Sequence, residues 1–292
     1  MYNRAKVAAV SVARLLVLLL LGSPAMAQSP PKDSNLRNVE LCNNFDRTAL
    51  DARISGCTAL IDAPQSTTKI ALAVAYNNRG NAYVAKADYD RAIQDFDKSI
   101  KLDPTYLKPL NNRGAAYLRK GEYDLAIETF DEAIKLNPNY GEAFANRAAA
   151  HLKKGEYDRA ARDYDEAIRL SPDLVGVLDG RCWVRAVLGT LQAALEDCNK
   201  ALQSRPNNAA TYDSRGLIDL KMGQLSAAID DYSSALHFDP TLANALYGRG
   251  LAKLKQGDRA GGDTDIAAAK TISANIGDDF TRYGIDTAAD KR

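Results

Sequence analysis

Pro104, Pro138, Pro172, Pro206 and Pro240 follow one another at a constant interval of 34 residues. A chain with such a period builds a stack of like units, because each unit buries its apolar face only against its neighbours. With Ala73 as the first place, the units are 73–106, 107–140, 141–174, 175–208, 209–242 and 243–276, the last with Ala274 where proline is expected. The columns carry a size code. The eighth place holds Gly80, Gly114, Ala148, Cys182, Gly216 and Gly250; the twentieth holds Ala92, Ala126, Ala160, Ala194, Ala228 and Gly262. The twenty-fourth holds Phe96, Phe130, Tyr164, Cys198, Tyr232 and Ile266. Gly121, Gly155, Gly189, Gly223 and Gly257 mark a mid-unit turn, with Ala87 in that slot of the first unit. Each unit therefore reads as two helices that approach closely at small residues, and proline stops the second by lacking a backbone donor.

These columns resemble the tetratricopeptide repeat, W-x2-L-G-x2-Y…A-x3-F…P, over about 73–276. The resemblance implies an all-α, right-handed α-solenoid of helix hairpins. It departs at the first aromatic slot, which is leucine at Leu110, Leu178 and Leu246. It departs again after the glycine, where Arg185, Asp219 and Lys253 replace tyrosine.

The seventh place is arginine in every unit: Arg79, Arg113, Arg147, Arg181, Arg215 and Arg249. The twenty-third holds Asp95, Asp163, Asp197, Asp231 and Asp265, with Thr129 as the exception. In an antiparallel hairpin these two places lie near each other, so the arginines read as structural ion pairs, the stem over apolar neighbours and the guanidinium on the carboxylate.

Residues 1–27 read as a secretion signal. Arg4, Lys6 and Arg14 precede the apolar run at 15–21, and Ala25 and Ala27 flank Met26 in a cleavage pattern. A retained anchor is the alternative, but seven uninterrupted apolar residues fall far short of a ~30 Å bilayer. Residues 28–35 read as a linker and 36–72 as a degenerate capping hairpin with its connection. The tail, 277–292, is expected to fold Phe280, Tyr283 and Ile285 over the last helix. An exported chain is periplasmic or secreted and meets oxidising conditions, so Cys42 with Cys57, and Cys182 with Cys198, read as disulfides. Neither pair has the spacing of a zinc site.

Without the leader, 35 basic residues face 37 acidic ones, which leaves no basic stripe for nucleic acid. His151 and His237 have no partner pattern for metal or nucleophile, and no glycine loop for phosphate is present, so no cofactor and no catalysis are expected. The family's groove is lined at places two, five, six, nine, twelve and thirteen of each first helix. Here the resemblance puts Asn77, Asn78, Asn81, Asn111, Asn112 and Asn146 in its first half, and Asp179, Trp183, Asp213 and Tyr247 in its second. Some relatives clamp a C-terminal carboxylate there with cations, but Asn77 and Glu142 stand where those are needed. The expectation is a protein-interaction scaffold of the cell envelope that binds a peptide or partner protein. Binding of a glycan or envelope polymer, and an enzyme with an unfamiliar site, are the alternatives, and the asparagines could serve helix capping alone.

Overall fold

The computed structural model describes residues 32–44, 46 and 48–287, and among them it contains fifteen α-helices and no strands. The proposed signal sequence, residues 28–31 of the linker and residues 288–292 lie outside the described residues. Helices α1 (Lys32–Cys42) and α2 (Leu50–Asp62) form the first hairpin. Six more follow: α3 (Lys69–Ala85) with α4 (Tyr89–Leu102), α5 (Leu107–Lys120) with α6 (Tyr123–Leu136), and α7 (Gly141–Lys153) with α8 (Tyr157–Leu170). They continue with α9 (Val177–Leu188) and α10 (Leu191–Ser204), α11 (Ala209–Lys221) and α12 (Leu225–Phe238), and α13 (Ala243–Gln256) and α14 (Arg259–Ile272). A short α15 (Ile276–Arg282) closes the chain.

One expectation needs correction. The linker drawn over 28–35 ends sooner, because α1 already begins at Lys32.

The punctuation follows from backbone chemistry. Helices α4, α6, α8, α10 and α12 each end two residues before a repeat proline, and the residue between leaves the helical region, at φ −139° for Asp103. Proline forbids the α conformation to its predecessor. The mid-unit glycines take left-handed φ of 74–99°, and Ala87 adopts φ 58° in the same slot.

The core is an interlock of rings and glycines. A Cβ placed on Gly80 would meet the Phe96 ring at 2.6 Å, and one on Gly114 would meet Phe130 at 2.5 Å. Both rings are fully buried, which stabilises by ~1.5–3 kcal/mol each. In unit three the eighth place is Ala148 and the twenty-fourth is Tyr164, whose longer ring extends to the sixth place of the next unit. There the residue is Gly180, and a Cβ on it would collide with the Tyr164 hydroxyl and ring. Tyr232 treats Gly248 in the same way. After Phe96 and Phe130, by contrast, the sixth place of the next unit holds Asn112 and Asn146. Phenylalanine thus leaves room for asparagine, and tyrosine demands glycine.

This trade sets a test. Gly180→Asn should destabilise by ~1–3 kcal/mol through overpacking, and Tyr164→Phe should recover most of that loss. Thermal melts of both single variants and the double variant should be clearly non-additive; additivity would refute the interlock.

Candidate binding groove

The arginine column joins helices in two directions. Arg79 donates from Nε and Nη2 to both carboxylate oxygens of Asp95, at 2.8 and 2.9 Å. Arg147–Asp163, Arg181–Asp197, Arg215–Asp231 and Arg249–Asp265 repeat this fork at 2.6–2.8 Å. Planar two-point pairing of this kind is what guanidinium geometry favours. The remaining Nη1 reaches back to the preceding unit. Arg113 bonds Asp97, Arg147 bonds Asp131, Arg181 bonds Asp165, Arg215 bonds Asn199 and Arg249 bonds the Ser233 hydroxyl. Each partner stands sixteen residues before its arginine, as each aspartate stands sixteen after. Arg79 finds Thr58 of the first hairpin instead. The sequence signal for this second arm is the polar residue that recurs at the twenty-fifth place of units one to five.

The departures from the family pattern join the same lattice. Arg185 bonds Asp197 at 2.8 Å and Lys253 bonds Asp265 at 2.8 Å. His151, buried, contacts Glu156 at 2.7 Å. Asp219 is the odd member: burial, then the neighbouring Asp231, push its carboxyl up to about 6. Unit two lacks the aspartate, since Thr129 turns its hydroxyl onto the Leu125 carbonyl at 2.7 Å. Arg113 then uses Asp97 and Glu132, and its buried Nε has no partner.

The groove asparagines form rungs between successive first helices. Asn78 donates to Asn43 at 2.9 Å and to the Cys42 carbonyl at 3.3 Å. Asn112 donates to Asn77, and Asn146 to Asn111, each at 2.9 Å. Asn77, Asn78 and Asn111 are thereby buried rather than open. The ladder stops at unit three, where the fifth place is Ala145 and the next sixth place is Gly180. Above the rungs lies a pocket of about 360 Å³, lined by Asn43, Asn77, Asn78, Asn111 and Asn112 with Asn81, Tyr106, Lys108, Tyr140 and Glu142. Tyr140 donates to Glu142 at 3.2 Å, and burial first, then that carboxylate, raises its hydroxyl above the usual tyrosine range. The pocket therefore offers donors and acceptors from neutral groups, with one cation and one anion at its rim.

The second half of the groove is different. Asp179 accepts from Thr211 and from Asn208 and pairs with Arg205, so it ties unit four to unit five. Asp213 is buried, and desolvation pushes its carboxyl up to about 7, with Asn244 partly opposing. Tyr247 is fully buried under Phe280 of α15, ring centres 4.9 Å apart. Trp183 meets the edge of Tyr283 at 5.0 Å. The tail packs on α13 through Phe280 and reaches back to α9 through Tyr283, beyond the last helix that it was expected to cover. The sulfurs of Cys42 and Cys57, and of Cys182 and Cys198, sit at disulfide distance, with Cα separations of 4.6 and 5.4 Å.

Two measurements probe these electrostatics. Thr129→Asp should complete the fork on Arg113 and stabilise by ~1 kcal/mol, read as a higher Tm; an unchanged or lower Tm would contradict the lattice. Asp213 and Asp219 hold protons in the folded chain that the unfolded chain, titrating near 4, has already released. Stability should therefore fall as pH rises from about 4 through 7. The Tm at pH 8 should lie below that at pH 5, and Asp213→Asn should shrink the difference.

The chain matches the family model for the tetratricopeptide repeat at residues 73–106, 108–140 and 141–174, and that for the TPR repeat at 216–257. No curated protein matches it. Among solved structures it is similar to a tetratricopeptide repeat protein from Parabacteroides merdae, at 18% identity and TM-score 0.63, covering 87% of this chain and 100% of that one. A chain of the APC/C hetero-tetramer Cut9–Hcn1 aligns at 20% identity and TM-score 0.67, covering 85% of this chain and 48% of that one. YrrB, described as a TPR protein with an unusual peptide-binding site, aligns at 19% identity and TM-score 0.50, covering 62% and 93%. At such identities the structures speak to the fold, and they agree with the repeat columns, the stacked hairpins and the family models. The chain is a member of the tetratricopeptide-repeat family.

Proposed function

We infer that this chain is a non-catalytic interaction scaffold that holds a peptide or partner protein on its concave face. The observation that carries this reading is the amide-lined pocket over units one to three. Its rungs fix the asparagine side chains in place, so little side-chain entropy remains to be lost when a ligand docks. Amides that both donate and accept suit an extended peptide backbone. The peptide-binding site in the name of YrrB supports the same use of the fold. The two cysteine pairs point to a compartment outside the reducing cytosol. With the leader read from residues 1–27, that compartment is the cell envelope or the exterior.

Tyr106 and Tyr140 beside the amides would also suit a sugar ring, so glycan binding is the second reading. The test uses Asn81→Ala with Lys108→Glu, both at the pocket and away from the rungs. Partner recovery from envelope extract should fall at least tenfold relative to the wild type, with Tm unchanged. Equal recovery of the same partners would refute the pocket assignment, and glycan-array binding without protein partners would favour the second reading.

A further inference from the structure

The chain's own tail packs on residues at groove places of units four to six. Four rings follow one another there: Tyr247 of α13, Phe280 and Tyr283 of the tail, and Trp183 of α9. Successive centres are 4.9, 5.8 and 5.0 Å apart. Ile276, Phe280 and Ile285 are buried, and so is Thr287. Gly284, at φ +80°, turns the chain beside the Lys221 side chain.

A cap would need to cover only the last hairpin. This segment instead runs back to unit four and rests on groove places of three units: Trp183, Lys221 and Tyr247. Seven helical residues are too few to hold a helix alone, so docking is what orders α15. Beside the tail a cavity of about 720 Å³ remains open, lined by Lys153, Tyr157, Trp183, Asn244, Arg282 and Tyr283. An incoming segment thus has a place to land next to the ring that it would uncover.

We propose that residues 276–287 are an internal ligand that keeps the groove of units four to six closed. That groove takes partner segments with the same spacing: an aromatic residue, a second aromatic three residues on, and a branched aliphatic two further. Such partners enter by displacing the tail, which competes at the high effective concentration of a tethered segment. This inference rests on the interaction-scaffold reading but uses a different half of the groove. Its failure leaves the pocket test of units one to three unaffected.

The experiment compares the full chain with its Phe280→Asp/Tyr283→Asp variant, and the probe is a fluorescein-labelled synthetic peptide of residues 275–287. The variant should bind this peptide at least tenfold more tightly than the wild type does. A peptide with both rings changed to alanine should not bind. Trp183 is the only tryptophan, so its emission should shift red in the variant and return when unlabelled peptide is added. Equal peptide affinity, or an unshifted emission, would overturn the proposal. So would loss of helical circular dichroism in the variant, which would make the tail a folding element. In the wild type, amides of 276–287 should exchange with deuterium at least a hundredfold faster than those of α13. Exchange only through global unfolding would likewise overturn it.

Discussion

The fit between the side chain at the twenty-fourth place and the small residues facing it governs this solenoid. Helices can approach closely only where one of them gives up its side chain, and the ring of the other then fills the space at interior density. Gly80 under Phe96 and Gly114 under Phe130 are the simple cases. Tyr164 and Tyr232 extend the same contact into the next unit and remove its sixth side chain, at Gly180 and Gly248. A core choice therefore decides what the concave surface displays. Behind phenylalanine the surface carries asparagine rungs; behind tyrosine it carries a smooth aromatic floor.

The arginine lattice works on top of this packing. A guanidinium with five donors can serve two carboxylates at once, so one side chain ties its own hairpin and the hairpin before it. Unit two shows the cost of a missing member: without an aspartate at Thr129, the buried Arg113 Nε is orphaned. Where tyrosine gives way to Arg185 or Lys253, the new cation lands on the same aspartate rather than in the groove. Asp219 puts an acid in that slot, and its burial, then the neighbouring Asp231, raises its carboxyl.

The groove divides accordingly into a preordered polar pocket and an aromatic stretch under the tail. Reading the family's groove places onto the sequence assigned both halves to one surface. All five asparagines from Asn77 to Asn112 line the pocket, but Asn77 is tied to Asn112, Asn111 to Asn146 and Asn78 to Asn43, and only Asn81 is outside the rungs. Tyr247 is spent on Phe280. A place in a repeat says which way a side chain faces; it does not say whether a neighbour has claimed it.

The sequence alone determined the all-α hairpin stack, its period, its turns and the arginine–aspartate columns. These depend on contacts within one unit, and a period of 34 repeats them until they stand out. Tertiary structure alone decided what happens between units and at the ends. The asparagine rungs join places thirty-five residues apart, and the backward arm of the arginines in units two to six joins places sixteen apart in different hairpins. The tail's position on Trp183 spans a hundred residues and belongs to no repeat. Such contacts arise from how rigid units stack and from which apolar surface is left uncovered at the end, and apart from the polar twenty-fifth place they leave no repeated pattern that names their partners.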